Sequence, residues 1–174
     1  MTGRLPSNMQ WMQANAMRYV SGDMPTYPRQ ALGRIIVKYK RIEHIAIAVR
    51  NLDSVRDTLG RIGLQCAHEE TLPGPGVRLA MLSVGESALE LIESNNENSQ
   101  TSRWIRERGE GLYHICLEVD DIEAALDELR GKGVKLIDQI PRSGHGGHRI
   151  AFLDPSSTAG ILIELVEMSA QAVH

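Results

Sequence analysis

His44-Ile45-Ala46-Ile47-Ala48-Val49 and His114-Ile115-Cys116-Leu117-Glu118-Val119 are one phrase written twice. Each is a short apolar run opened by a histidine, the composition of a buried strand, and each leads without a gap into residues spaced for a helix. Leu52, Val55, Leu59 and Ile62 carry that spacing in the first copy, and Ile122, Ala125, Leu126 and Leu129 in the second, with helix ends at Gly63-Leu64 and Gly133-Val134. Both copies close on a matching strand, Ala88-Leu89-Glu90-Leu91-Ile92-Glu93 and Ile163-Glu164-Leu165-Val166-Glu167. Self-similarity of this kind marks two copies of one supersecondary unit.

The stretches between helix and closing strand complete the unit. In the first copy the turn Pro73-Gly74-Pro75-Gly76 leads to a strand over Val77 to Val84, and Gly85-Glu86-Ser87 turns the chain into the strand bearing Glu90. In the second, Ser143-Gly144-His145-Gly146-Gly147 reads as a flexible loop before the strand Arg149 to Leu153, and Asp154-Pro155-Ser156-Ser157 as the last turn. Each copy is therefore βαβββ, and the fold expected is α+β: paired βαβββ modules at 41–93 and 111–168 within one domain, 41–168. Polar Ser94 to Ser102 reads as a linker and Arg103 to Arg108 as a short helix. Residues 1–40 form an extension with a weak helical pattern near Asn8 to Tyr19, a breaker stretch over 21–28 and a second short helix before Arg41; residues 169–174 are a tail.

Composition bounds the function classes. With 174 residues, 42% hydrophobic and 24% charged, the chain has the make-up of an ordinary globular domain with an adequate core. No apolar run approaches the roughly 18 residues of a membrane span, and no signal-peptide core is present, so a soluble, cytoplasmic protein with no membrane partner is expected. The net charge of -3 hides a basic extension, in which Arg4, Arg18, Arg29, Arg34, Lys38 and Lys40 stand against Asp23, and an acidic body. Such a start suits an arm lying on the acidic body or on a partner subunit, or else a transit peptide that would place the protein in the mitochondrial matrix. The basic residues carry no nucleic-acid-binding motif, so no nucleic-acid partner is expected. Cys66 and Cys116 lack metal-binding spacing and read as free thiols.

Strand alternation says where the repeated polar residues point. If helices cover one sheet face, Ile45, Ile47 and Val49 pack beneath them while His44, Ala46 and Ala48 face the other way, the two alanines leaving space. Cys116 and Glu118 share the face of His114, and Glu164 lies opposite Ile163 and Leu165. His44, Glu90, His114 and Glu164 thus come to one cavity. Two imidazoles and two carboxylates suit a divalent transition metal such as Co, Mn, Ni, Zn or Fe, and up to two open positions imply catalysis. A lone strand histidine is more often a core residue; four such residues paired across a repeat are not. Glu118 reads either as a buried acid beside the metal or as a strand-end residue, and Cys116 as a small cavity-lining residue. His145 and His148 read as a surface loop, compatible with a lid, ahead of a second metal site. Arg103, Arg106 and Arg108 read as a solvated helix face ahead of a phosphate or CoA contact.

At Glu43-His44-Ile45-Ala46-Ile47-Ala48-Val49, Leu89-Glu90-Leu91-Ile92, Arg108 to Cys116, Arg149-Ile150-Ala151-Phe152-Leu153 and Gly160 to Leu165, the chain resembles the vicinal oxygen chelate superfamily and, within it, the methylmalonyl-CoA epimerases. The resemblance covers roughly residues 41 to 168. It implies a half-barrel of paired modules around one metal, a homodimer and an acyl-thioester substrate, with Glu164 as the ligand that also shuttles a proton and Glu118 as a candidate second acid/base group. The function this implies is a metal-dependent epimerase working next to a thioester carbonyl. A glyoxalase-type isomerase, a natural-product tailoring enzyme and a non-catalytic binding protein of the same fold stand as alternatives.

Overall fold

The computed structural model describes residues 37–169. Module one runs β1 (Tyr39–Ala48), α1 (Leu52–Gly60), β2 (Cys66–Leu72), β3 (Val77–Val84) and β4 (Ser87–Ser94). After α2 (Gln100–Arg108), module two runs β5 (Gly111–Val119), α3 (Ile122–Gly131), β6 (Arg142–Ser143), β7 (Arg149–Leu153) and β8 (Ile163–Glu167). The eight strands form one sheet in the order β2-β3-β4-β1-β5-β8-β7-β6. Each module pairs its first and last strands in parallel, β1 with β4 and β5 with β8, and the modules join through the antiparallel pair β1 and β5. This is the expected α+β arrangement of two βαβββ units, in a mixed sheet curled into a half-barrel.

The helices start and stop where local chemistry dictates. Asn51 caps α1 by accepting from the Ser54 N–H at 2.8 Å, and Asp121 caps α3 by accepting from the Ala124 N–H at 2.9 Å, equivalent residues in the two copies. The chain leaves both helices through glycines in the left-handed region, Gly63 at φ 93° and Gly133 at φ 78°. Helix α1 covers Ile47, Val49, Ala80, Leu82 and Leu91 on one sheet face. Helix α3 covers Leu117, Ala151, Leu153, Ile163 and Leu165 in the same way.

Three boundaries differ from the sequence reading. Strand β1 begins at Tyr39, so Tyr39 and Lys40 belong to the domain and the short helix expected before Arg41 does not include them; the rest of that helix, the Asn8 to Tyr19 pattern and most of the extension lie outside the described residues. Helix α2 starts at Gln100, because Ser99 caps it by accepting from the Ser102 N–H at 3.0 Å. The space beside Ala46 and Ala48 is also filled: Ile105 and Trp104 of α2 pack there with Tyr113. Helix α2 thus closes the inner face of the half-barrel at one end and leaves the other end hollow.

Candidate metal centre

The cross-strand register brings the four expected ligands together at the seam between modules. On β1, His44 lies opposite Cys116 of β5 and Ala46 lies opposite His114, while Ala46 pairs with Glu90 on its other side and Cys116 pairs with Glu164. Each histidine therefore stands diagonally across from the other, and the residue two places after it is small. Ala46 and Cys116 are both fully buried, and they leave the room into which the imidazoles lean. A glutamate arrives beside each small residue from the last strand of each module.

Two irregularities refine this pattern. The β1–β5 register slips between Ile42 and His44, and again between Ala46 and Ile47 where the partner steps from His114 to Leu112. The extra residues are Glu43 and Tyr113, each immediately ahead of a repeated histidine. A bulge releases its residue from strict alternation and re-aims neighbouring side chains. Glu43 consequently turns to the His44 side, where it accepts a 2.5 Å hydrogen bond from Nδ1 and is only 7% exposed. Tyr113 joins the cavity wall and stacks edge-on against His114, with ring centroids 5.3 Å apart.

His44 Nε2 lies 3.0 Å from His114 Nε2, 3.3 Å from Glu164 Oε2 and 3.5 Å from Glu90 Oε2; His114 Nε2 lies 2.9 Å from Glu164 Oε2 and 3.9 Å from Glu90 Oε2. Ligands about 2.1 Å from a metal and at right angles stand about 3 Å apart, so these separations fit one first-row divalent ion. All four residues are buried. Burial disfavours a charge on His44, yet contacts with Cys116, Glu164, Glu43 and Glu90 outweigh it and raise its pKa well above the ordinary histidine range. Burial would likewise keep Glu164 neutral, but His114 and His44 pull its pKa far below the usual carboxylate range. The carboxylates thus demand a buried positive charge, which protons supply without a cation and a metal would supply in their place. The donor set, its spacing and its charge fit a divalent metal held by His44, Glu90, His114 and Glu164.

The centre opens on a cavity of about 610 Å³, within the range of small-molecule sites. Its walls come from the β2–β3 turn (Leu72 to Pro75), the segment from Asn96 to Thr101, and module two between Ile137 and His145, with Glu90, His114 and Glu164 on its floor. The segment read as a linker is therefore part of the wall. Arg103, Arg106 and Arg108 are exposed on α2 and outside the lining, in keeping with a solvated face; the Arg108 guanidinium stacks 4.2 Å over the Trp104 ring.

Glu118 takes neither site role. It is buried at the far end of β5, where Arg41 Nε donates to it at 2.7 Å and Lys40 Nζ at 3.0 Å, and it does not line the cavity. Burial works against its charge, but those two cations hold its carboxyl below the usual range, so it acts as a structural anion. Cys66 and Cys116 are free, as expected, and burial pushes the Cys116 thiol far up, which keeps it protonated beneath His44. The loop read as a flexible surface segment is instead built in. His148 is buried and its Nδ1 accepts from the Ser169 N–H at 3.1 Å, while His145 lines the cavity. Sequence reasoning missed Glu43 and His145: the bulge hides the first from alternation, and a glycine-rich context disguised the second.

The comparisons agree with this geometry. The Glyoxalase/Bleomycin resistance protein/Dioxygenase superfamily profile matches residues 43–152. The ethylmalonyl-CoA/methylmalonyl-CoA epimerase of Cereibacter sphaeroides is 31% identical over 134 residues, covering 74% of this chain and 98% of that protein. The mitochondrial methylmalonyl-CoA epimerase of Homo sapiens is 31% identical over 127 residues, 72% of each chain. A crystal structure of Streptomyces coelicolor methylmalonyl-CoA epimerase in complex with 2-nitronate-propionyl-CoA superposes with a TM-score of 0.73 at 36% identity, covering 76% of this chain and 97% of that one. Fold, ligand pattern and sequence together show that the chain belongs to the glyoxalase/bleomycin resistance protein/dioxygenase superfamily.

Proposed function

We propose that this protein is a metal-dependent epimerase that moves the proton on the carbon between the thioester carbonyl and the carboxylate of a methylmalonyl-CoA-like substrate. The observation that carries the reading is the buried His44, Glu90, His114 and Glu164 cluster on the floor of an open cavity, in a chain that matches epimerases over nearly their whole length. A divalent ion of the Co, Mn, Ni, Zn or Fe kind, held by these four residues, would supply the positive charge that lowers the cost of an enolate. Glu164 serves as proton acceptor and donor at one face of the substrate carbon. It lies at the cavity floor and its depressed pKa keeps it ionised and ready to accept. Phe152 and Tyr113 flank His114 edge-on, at centroid separations of 5.2 and 5.3 Å, and keep that ligand oriented while limiting water.

The reading includes a homodimer and a compartment without membrane attachment; no helix among the described residues is long and apolar enough to cross a membrane. Light scattering of the full chain is expected to give twice the 19.3 kDa chain mass. The test of function is incubation of each methylmalonyl-CoA stereoisomer with the metal-loaded protein in deuterated water, followed by NMR. Deuterium at the substrate carbon with inversion supports the epimerase. Turnover of methylglyoxal with glutathione and no exchange in the thioester would assign the centre to glyoxalase chemistry instead.

A further inference from the structure

Inversion at carbon needs a proton taken from one face and a proton delivered to the other, so Glu164 alone does not complete the reaction. We propose that His145 is the second proton-transfer group of the centre; the proposal rests on the epimerase reading. Three observations lead to it. His145 lines the cavity with a side chain 13% exposed, and its Nε2 is buried without a hydrogen-bond partner among the described residues. A buried polar atom with no partner is costly unless something absent from the free protein completes it. Second, His145 and Glu164 approach opposite edges of one imidazole. His44 presents Nε2 to Glu164 at 3.3 Å and Nδ1 to Glu43, while His145 Nε2 lies 3.9 Å from Glu43 and its ring centroid 5.7 Å from that of His44.

Third, the loop is constructed to hold this residue in place. A Cβ on Gly144 would come within 2.7 Å of the Ile150 side chain, so only glycine allows the backbone to pass close enough to bring the next residue into the wall. On the other side, Gly146 adopts φ 57° and its N–H donates to Glu70 of β2 at 3.0 Å, tying the loop of module two to the edge strand of module one. The other acid/base side chains of the lining are engaged or are ligands. Asp138 accepts from the Phe152 N–H at 2.9 Å and from Arg142 at 3.3 Å, and burial raises the Tyr113 phenol while Thr101 bonds to it.

The step balances as follows. With one stereoisomer the Glu164 carboxylate takes the proton, the C–H electron pair passes into the enolate, and protonated His145 delivers its proton to the other face, forming the new C–H bond. Glu164 ends protonated and His145 neutral, which is the state that processes the opposite stereoisomer by the reverse route. The experiment measures deuterium exchange and inversion from each methylmalonyl-CoA stereoisomer in wild type, His145→Gln and His145→Asn, with metal content determined in parallel. Wild type should exchange and invert both. The variants should keep their metal and their exchange with one stereoisomer, while exchange with the other and inversion fall by about 100-fold or more. Exchange retained with one isomer also demonstrates a folded, loaded variant. Unchanged inversion, or an equal fall for both isomers, would overturn the assignment by making His145 dispensable or merely structural. A wild type that exchanges neither isomer removes the epimerase reading itself and this role with it.

Discussion

Replacing Glu43 by leucine should weaken metal binding although Glu43 is not a ligand. Its carboxylate accepts a 2.5 Å hydrogen bond from His44 Nδ1 in a position only 7% exposed, which fixes the ring so that Nε2 faces His114 and Glu164. A carboxylate behind a ligating imidazole fixes its tautomer and raises its basicity, and losing such a partner typically costs 10- to 100-fold in affinity, about 1.4–2.7 kcal/mol. In the leucine variant the His44 N–H also has to remain unpaired in an apolar setting. Glu43→Gln keeps an acceptor oxygen and should lose less. Competition titration with a chromophoric chelator, using Co or Zn at fixed pH, measures all three proteins. Unchanged affinity for Glu43→Leu would refute the reasoning, and equal losses in both variants would trace the effect to something other than the hydrogen bond.

Cys116→Leu should cost about 1–3 kcal/mol in thermal or denaturant unfolding and lower metal affinity as well, since the fully buried thiol sits between His44 and Glu164 in the register and a larger side chain must displace a ligand; normal metal affinity in a stable Cys116→Leu protein would contradict the packing argument. Glu118→Gln should lower stability at neutral pH by about 1–3 kcal/mol, towards the lower end because the Lys40 side chain is 47% exposed and screened. The folded pKa of Glu118 is depressed, so its stabilisation is present above the unfolded carboxylate value and is lost as pH falls through the folded one. Urea midpoints of wild type and variant should therefore converge in acid, and a gap that persists or widens would show that the lost interaction is not the ionised pair.

The repeat made most of the fold legible. Two histidines at equivalent places, each followed two residues later by something small, encode both the ligands and the cleared space around them, and period-two alternation assigned Ile47, Val49, Leu165 and their neighbours to the helix-covered faces seen in the structure. What alternation does not encode is a departure from itself. Bulges at Glu43 and Tyr113 swing those side chains to the site, and a register slip depends on pairing between distant strands rather than on local pattern. Helix α2 was placed too short because Ser99 sits in a polar run that looks like a linker until its capping bond is seen. His145 was hidden for a different reason: glycines at 144, 146 and 147 signal freedom in a sequence, whereas here the first accommodates Ile150 and the second supports the link to Glu70. Glu118 was placed on the correct face, but its partners Lys40 and Arg41 come from a strand whose start was set too late.

The most direct test of the account is reconstitution. Protein stripped with a chelator should lack epimerase activity, and adding Co or Mn in steps should restore it linearly to a break at one metal per chain, with His114→Ala showing neither the break nor the activity. Full activity in the stripped protein, or metal uptake by His114→Ala equal to that of wild type, would contradict a single catalytic ion held by His44, Glu90, His114 and Glu164.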